Sequence, residues 1–341
     1  MAKGPSHLLL MTACLVLLTV SLSGCIDSVE RTGWAYEKTQ ITDMNDQGFF
    51  GTGVIIAIID TGVNTGHPDL KGLSIIAWRD FINEEPDPYD DRGHGTHIAG
   101  IIGANGEIKG GAYKADFVIA KALDDQGRAE DGVVANAIDW CADQGADIIC
   151  LSLGGDPVLP RLGEQSGIAA REVISRGTIV VAAAGNDGKD EDDSDVNRPA
   201  NVPGVIAVGA VDKELKIAPF SSIGDNDGIT PFTIDDRFDP DKKPEVVAPG
   251  VDIRSTYLNK EYAVASGTSQ ATPLVVAGIA LILEDNPMLQ RDGDEGGDSA
   301  AVEKIKEAIM LGAYQIPGQD TPHDDHYGYG LFRAADSSAL L

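Results

Sequence analysis

Basic residues are scarce in this chain of 341 residues, since 26 Lys and Arg stand against 54 Asp and Glu and give a formal net charge of −28 at pH 7. A surface of that sign repels polyanions, so we expect no nucleic-acid partner. Such an acidic excess suits an ion-rich medium, but it also serves plain solubility. The net charge therefore excludes nucleic acids as partners, but it does not identify the medium in which the protein acts.

Cysteine is also rare, with four residues in the whole chain. Two of them, Cys14 and Cys25, lie in the amino-terminal segment, while Cys141 and Cys150 lie among apolar residues of a predicted helix and the strand after it. A disulfide framework is not indicated. We expect Cys141 and Cys150 to be buried free thiols, and neither a bridge nor a metal pair.

The amino-terminal apolar run, residues 8–22 behind Lys3, has only about 15 residues, where a membrane-spanning helix needs roughly 20. It predicts a secretory signal. The run ends in Leu22-Ser23-Gly24-Cys25, which resembles the lipobox of prokaryotic lipoproteins, where cleavage precedes a lipidated Cys. We expect residues 1–24 to be the signal peptide and 25–33 a tether lipidated at Cys25. The alternative is an ordinary signal peptide and a secreted protein.

Apolar runs of strand length, rich in β-branched residues and without polar alternation, recur along the rest of the chain. They cover 54–59, 117–123, 147–153, 178–184 and 205–211. Helical patterns cover about 131–144, 166–176, 269–285 and 300–311. Unbroken apolar strands that alternate with helices predict an α/β fold, with a mostly parallel central sheet flanked by helices on both faces. We expect one domain, residues 34–341, because no linker divides it.

Asp60 ends the first of these strands, in Asp60-Thr61-Gly62. The carboxyl ends of parallel strands are where such sheets place reactive groups. Taken alone, this triplet is the signature of an aspartic protease, whose two carboxylates share one site. The chain holds no second such triplet, and the predicted sheet is of the wrong kind, so we reject that interpretation.

Three further polar residues lie beside glycines. His94 lies in Gly93-His94-Gly95, where small neighbours allow close backbone approach to an imidazole. His94 and His97 have the spacing of a helical metal pair, but no third ligand lies nearby. Ser269 opens a long apolar helix, whose N–H groups can hold a developing oxyanion, and Asn186 ends another strand with an amide that can donate to the same oxyanion.

These residues lie in blocks that resemble the subtilisin-like serine peptidases, in the family's order of Asp, His and Ser. The similarity covers nearly all of the chain after the signal, from about Trp34 to Leu331. The blocks are Ile58-Ile59-Asp60-Thr61-Gly62, Gly93-His94-Gly95-Thr96-His97-Ile98-Ala99-Gly100, Ser152-Leu153-Gly154-Gly155, Ala183-Ala184-Gly185-Asn186, Pro244-Glu245-Val246-Val247-Ala248-Pro249-Gly250 and Gly267-Thr268-Ser269-Gln270-Ala271-Thr272-Pro273.

The resemblance implies a catalytic triad in which Ser269 is the nucleophile, His94 its general base and later acid, and Asp60 the carboxylate that orients the imidazole. It also implies an oxyanion hole made of Asn186 and the backbone N–H of Ser269.

For substrate binding, the resemblance implies that Ser152, Leu153, Gly154 and Gly155 pair with the substrate backbone as an extra strand. The segment around Gly127 flanks the substrate in the same way.

The expected function is that of an extracytoplasmic serine endopeptidase, anchored by lipid, monomeric and acting on polypeptides through an acyl-enzyme. The chemistry requires no cofactor, and a structural calcium ion is possible but unassigned. Two alternatives are an inactive peptide-binding relative, which would not react with a fluorophosphonate, and a processing protease with narrow substrates, which would not degrade unfolded casein.

The chain departs from the family at several places. Gln270 replaces the usual Met after the nucleophile, and only about nine residues lie between Cys25 and Trp34, where secreted relatives carry a folding prodomain. The loop 104–110 is shorter than in relatives that bind calcium there, although other carboxylates offer hard oxygen ligands. These carboxylates are Asp87, Asp90 and Asp91.

The loop after Asn186 is acidic, and in the family it borders the pocket for the residue before the cleaved bond. Its acidic residues are Asp187, Asp190, Glu191, Asp192, Asp193 and Asp195. This loop suggests a preference for Arg or Lys in that pocket. A solvated acidic loop on an acidic protein is the alternative.

Overall fold

The structure is a computed structural model that describes residues 30–155, 165–188, 195–226 and 237–341. The expected signal peptide 1–24 and the lipidation site Cys25 lie outside the described residues. So do four members of the acidic loop, residues 190–193. The remaining predictions can be compared with the described parts of the chain.

A parallel sheet of seven strands forms the centre of the described protein. The strands are β1 Ile55–Asp60, β2 Ser74–Asp80, β3 Asp116–Lys121, β4 Ile148–Leu151, β5 Ile179–Ala183, β6 Ile206–Val211 and β7 Val246–Pro249. Their order across the sheet is β2-β3-β1-β4-β5-β6-β7, and every neighbouring pair is parallel. The five strands expected from apolar runs are confirmed as β1, β3, β4, β5 and β6.

Helices cover the sheet on both of its faces. They are α1 Glu30–Lys38, α2 Ile41–Asp46, α3 His94–Gly103, α4 Asp131–Asp143, α5 Gln165–Ser175, α6 Thr268–Asp285, α7 Ser299–Gly312 and α8 Ala334–Ser338. Helix α3 packs against α6, and α4 packs against α5. Every residue of β5 and β6 is buried, and successive residues of a strand point to opposite faces, so both faces are covered. This confirms the expected fold class.

Strands β2 and β7 and a separate hairpin were not predicted. Residues of β2 alternate between exposed and partly buried because β2 is an edge strand, so it lacks the unbroken apolar run of the inner strands. The hairpin consists of β8 Ile253–Thr256 and β9 Tyr262–Ala265, which pair antiparallel outside the main sheet. It packs against α3 through β8. The helix that carries His94 is thereby held from two sides, by the sheet and by the hairpin.

None of the helices in the described ranges is both long and apolar enough to cross a bilayer.

The topology brings the candidate residues to one edge of the sheet. Asp60 is the last residue of β1, Ser152 directly follows β4, and Asn186 follows β5 by three residues. Because β1, β4 and β5 are neighbours and parallel, their carboxyl ends lie at the same edge. Helices α3 and α6 begin at this edge with His94 and Thr268.

Candidate active site

Asp60 and His94 form a buried pair. The Nδ1 atom of His94 lies 2.8 Å from Oδ1 and 2.9 Å from Oδ2 of Asp60. Burial disfavours the charged imidazole and lowers the pKa of His94, but the charge and hydrogen bond of Asp60 outweigh this effect. The pKa of His94 therefore lies above its ordinary value. Nδ1 is occupied by Asp60, and Nε2 has no hydrogen-bond partner within the described parts of the chain. Nε2 is thus the nitrogen left to accept a proton.

Two glycines allow the start of α3 to lie directly on the end of β1. Gly93 has a φ of 93°, and a Cβ there would lie 2.4 Å from the ring of Tyr257. A Cβ on Gly95 would lie 2.1 Å from the carbonyl oxygen of Gly62. Side chains at either position would push His94 away from Asp60, because both neighbours are a ring or backbone held in place. The sequence predicted close backbone approach to the imidazole at these glycines, whereas the close neighbours are the Tyr257 ring and the Gly62 backbone.

Asp90 fixes the turn that leads into α3. Its carboxylate accepts hydrogen bonds from the backbone N–H groups of Arg92, Gly93 and Thr96, at 3.0, 2.8 and 2.9 Å. It also accepts from the hydroxyl of Thr61 at 2.9 Å. From the sequence, Asp90 was considered only as a possible calcium ligand. An Asp just before a helix start is a capping signal that could have identified this role.

Lys121 holds the loop beneath the pair of Asp60 and His94, and its role was not predicted from the sequence. The side chain is fully buried at the end of β3, next to Asp60 in the sheet register. Its ammonium group donates to the carbonyl oxygens of Thr61 and Leu123 at 2.9 and 3.0 Å and pairs with Asp91 at 2.7 Å. The sequence did not indicate this role, because the partners of Lys121 come together only through the pairing of β1 with β3.

Ser269 is the second residue of α6, so its backbone N–H lies in the first turn, where no helical acceptor is available. The hydroxyl donates to the carbonyl oxygen of Ser152 at 3.0 Å, and the hydroxyl of Ser152 donates to the carbonyl oxygen of Ser269 at the same distance. Ser269 therefore lies in the same cleft as His94, but its hydroxyl faces Ser152 and not Nε2.

Asn186 is oriented by the residue before the serine. Its Oδ1 atom accepts the backbone N–H of Thr268 at 3.0 Å and lies 3.2 Å from the Thr268 hydroxyl. With the amide oxygen fixed in this way, the amide nitrogen is left to donate elsewhere. Asn186 lines the cleft together with His94 and Ser269. The four residues singled out in the sequence therefore share one site.

The cleft is bordered by both expected substrate segments. Ser152, Leu153, Gly154 and Gly155 lie along one wall, directly after β4, and Gly127 lies on another. The backbone of Gly155 pairs with that of Arg198 in an isolated antiparallel bridge. Gly127 has a φ of 74°, and a Cβ there would lie 2.9 Å from Nε of Arg92. The cleft thus has extended backbone on one side and a close glycine turn on another.

Two acidic residues of the loop, Asp187 and Asp195, lie in the described ranges, and both accept hydrogen bonds. Asp187 accepts a hydrogen bond from the amide of Asn197 at 2.7 Å. Asp195 forms a two-point pair with Arg237, at 2.8 and 2.7 Å. Neither carboxylate is among the groups that line the cleft. The expected preference for basic residues therefore depends on residues 190–193, which lie outside the described ranges.

The alternative of a metal pair at His94 and His97 finds no support. His97 is buried and its Nε2 lies 3.2 Å from the carbonyl oxygen of Ala263, while burial lowers its pKa to about 4. Across the described ranges, no group of three or more His, Cys, Asp or Glu side chains is arranged to hold a metal ion. The two histidines thus have separate partners.

The short loop after α3 is tied down by a carboxylate of the protein. Asp69 accepts the N–H of Ile108 at 2.8 Å and the hydroxyl of Tyr262 at 2.9 Å. Its backbone oxygen accepts the N–H of Asn105 at 2.8 Å. Asp90 and Asp91, two of the carboxylates considered for calcium, are engaged by backbone N–H groups and by Lys121 as described above.

Cys141 and Cys150 are confirmed as buried free thiols. Burial raises the pKa of both, that of Cys150 to about 12. Neither forms a thiolate at neutral pH, so neither competes with Ser269 as a nucleophile.

Gln270, the unusual residue after Ser269, is fully buried. Neither atom of its amide has a hydrogen-bond partner within the described parts of the chain. A Cβ placed on Gly267 would lie 2.9 Å from its Oε1 and 3.6 Å from Oδ1 of Asn186, so the two amides are close neighbours. The substitution therefore places a second polar group beside Asn186.

Known proteins resemble this chain over most of its length. The model of the subtilase family matches residues 51–330. Subtilisin NAT of Bacillus subtilis subsp. natto is 36% identical over 248 residues, which cover 72% of this chain and 59% of that protein. Subtilisin BL of Lederbergia lenta is 35% identical over 257 residues, covering 74% of this chain and 85% of its own length. Serine protease AprX of Bacillus subtilis (strain 168) is 31% identical over 351 aligned positions, covering 94% of this chain and 73% of that protein.

The chain thus spans less than two thirds of Subtilisin NAT. The residues matched by the family model, 51–330, include every residue of the site described above. The parallel sheet flanked by helices and the family match agree with the resemblance found in the sequence. The chain belongs to the subtilase family.

Proposed function

We propose that the chain is a serine endopeptidase that hydrolyses polypeptides through an acyl-enzyme, with Asp60, His94 and Ser269 as its catalytic triad. The observation that carries the proposal is the buried pair of His94 and Asp60, which leaves Nε2 as the base in the cleft that also contains Ser269. A binding module has no need of a carboxylate that orients an imidazole in this way. The proposed chemistry uses side chains and backbone groups alone.

In the proposed acylation, a change of one side-chain torsion turns the Ser269 hydroxyl from the Ser152 carbonyl to Nε2 of His94. Oγ then attacks the carbonyl carbon of the scissile peptide while its proton passes to Nε2. The charge that develops on the imidazolium is stabilised by Asp60. His94 returns the proton to the amine as the C–N bond breaks, which leaves an ester on Ser269. Water hydrolyses this ester by the same steps, with His94 again as the base.

The proposed oxyanion hole consists of the side-chain amide of Asn186 and the backbone N–H of Ser269. Both donors are fixed before the reaction, since Thr268 holds the Asn186 oxygen and the helix holds the Ser269 backbone. Fixed donors stabilise the oxyanion without having to reorganise as it forms. The same cleft would receive the substrate backbone between Gly127 and the segment from Ser152 to Gly155.

Replacement of Asn186 by Ala tests the oxyanion hole. The change removes one donor that acts mainly in the transition state, so we expect kcat to fall by about 10²- to 10³-fold, while KM changes little. Steady-state kinetics on a fluorogenic peptide measures both constants. Circular dichroism and thermal unfolding of the variant serve as the control for folding. A fall in kcat of less than about fivefold would remove Asn186 from the oxyanion hole.

We further propose that the mature enzyme begins at Cys25 and is held at the outer face of a membrane by lipid on that residue. Support comes from the apolar run 8–22 and the Leu22-Ser23-Gly24-Cys25 motif. The tether 25–33 then leads into the peptidase domain, which we propose acts as a monomer. Secretion of an unlipidated enzyme is the second candidate.

Substitution of Cys25 by Ser tests the anchor in a bacterial host that processes lipoproteins. We expect the wild-type chain to incorporate a labelled fatty acid and the Cys25→Ser chain to incorporate none, because the sulfur is the proposed site of acylation. Gel autoradiography of the immunoprecipitated chain makes the measurement. The Cys14→Ser chain is the matched control and should keep the label. An unlabelled wild-type chain in the culture medium would favour the secreted candidate.

A further inference from the structure

Arg92 is a cation in the cleft that has no ion-pair partner among the described residues. It lies two residues before His94, is half-buried and lines the cleft together with His94 and Gly127. Its guanidinium makes one hydrogen bond, from Nη1 to the carbonyl oxygen of Asp125 at 3.2 Å. No carboxylate within the described ranges forms an ion pair with it. In a chain with 54 acidic and 26 basic residues, such an unpaired cation is unexpected.

The other charges along the cleft leave Arg92 free to act on a substrate. The charged groups that line it, besides the imidazole of His94, are Arg92, Arg198 and Asp131. The Asp131 carboxylate is turned to the start of α5, where it accepts the N–H of Gln165 at 2.8 Å and the hydroxyl of Ser166. The cleft thus contains basic side chains on a protein whose net charge is −28.

The position of Arg92 is set by its neighbours. The carboxylate of Asp90 accepts its backbone N–H at 3.0 Å, and its carbonyl oxygen accepts the hydroxyl of Tyr257 at 2.9 Å. Gly127 has no side chain, and a Cβ at this position would lie 2.9 Å from Nε of Arg92. The guanidinium therefore occupies space that a side chain at residue 127 would need. The backbone is thus fixed on both sides of the residue, while most of the five guanidinium donors stay open.

We propose that Arg92 is a specificity-determining residue that binds the carboxylate of an Asp or Glu in the substrate stretch between Gly127 and the segment from Ser152 to Gly155. This inference rests on the proposed peptidase function. A planar guanidinium matches a carboxylate through two parallel hydrogen bonds, and in a partly enclosed cleft this pair is screened less than at an open surface. The preferred substrates are therefore polypeptides with an acidic residue close to the cleaved bond.

Paired fluorogenic peptide libraries test this inference. Each pair differs only by Glu against Gln, or Asp against Asn, at one position near the cleaved bond. For the wild-type enzyme at low ionic strength, we expect kcat/KM to be about five- to tenfold higher for the acidic member at one position. We expect Arg92→Gln to bring that ratio close to one, Arg92→Lys to keep part of it, and Arg92→Glu to invert it in favour of the amide member of the pair. High salt should reduce the wild-type ratio, because an attraction between charges is screened.

Arg176→Gln is the matched control. It removes the same charge from an Arg that pairs with Asp143 on the surface, and it should leave the wild-type ratio unchanged. A wild-type ratio near one at every position, or a ratio that survives Arg92→Gln, would overturn the inference while leaving the peptidase intact. Failure of the folded wild-type enzyme to cleave any peptide would overturn the proposed function, and this inference with it. Arg92→Lys and the salt series keep the test decisive if Arg92→Glu does not fold.

Discussion

Replacement of Ser269 by Ala is expected to lower kcat/KM for a peptide substrate by about 10⁶-fold, the size of the loss known for the nucleophile of a subtilisin. The change removes the only atom proposed to form the covalent intermediate. Residual cleavage would come from water acting in the oxyanion hole. The second readout is covalent labelling with a fluorophosphonate, which reacts with an activated serine. We expect labelled wild type and an unlabelled variant.

Ser74→Ala provides the matched control for this experiment. Ser74 lies on the edge strand β2, where its hydroxyl donates to Asp116 at the surface. We expect its loss to leave both activity and labelling at the wild-type level. Labelling of the Ser269→Ala chain would mean that another residue is the nucleophile. A folded wild-type chain that takes no label would instead favour the inactive, peptide-binding relative.

The inner strands could be predicted from the sequence because burial leaves a direct mark on them. Every residue of β5 and β6 is buried on one face or the other, so these strands are continuous apolar runs. Strand β2 carries Arg79 and exposed residues at the edge of the sheet, and its run is broken. Position in the sheet, which the local sequence does not encode, explains why β2 was missed, while the other missed strand, β7, is buried but has only four residues.

The residues of the site divide in the same way. Asp60, His94, Asn186 and Ser269 could be identified because each lies in a short motif beside glycines. The role of Lys121 depends on Thr61, 60 residues away, and arises only when β3 lies beside β1. The direction of the Ser269 hydroxyl depends likewise on Ser152, which is 117 residues away. Motifs predicted the groups, while the contacts that hold and orient them depend on the tertiary fold.

A cluster of buried charges around Glu245 was not predicted either. Lys243 and Lys306 both pair with Glu245, at 2.7 and 2.8 Å, and Glu245 and Lys243 are fully buried. Burial is the main cause that lowers the pKa of Lys243, to about 8. In the sequence these residues are separated by up to 63 positions, with Lys243 and Glu245 just before β7 and Lys306 on α7, so no local pattern joins them. Such a cluster can form only where long-range packing brings its members together.

The second large effect is expected from Asp60→Asn, which should lower kcat/KM at neutral pH by about 10⁴-fold. The carboxylate now accepts the N–H of Thr61 at 2.7 Å and that of His94 from Nδ1. In the variant, the amide oxygen can serve Thr61, which leaves the amide N–H₂ facing Nδ1. The imidazole then carries its proton on Nε2 and cannot accept the proton of Ser269. The negative charge that stabilises the imidazolium is lost as well.

The same variant should change the dependence of activity on pH. His94 acts as a base only when neutral, so activity falls as the pH drops through the pKa of His94. Burial lowers this pKa, and Asp60 raises it by more. Without the charge of Asp60, burial dominates and the pKa falls, so the acid limb of the kcat/KM profile moves to lower pH. Asp143→Asn, a surface change, should leave the limb in place. An unmoved limb in Asp60→Asn would show that another group controls it, because Asp60 is the main group that raises the pKa of His94.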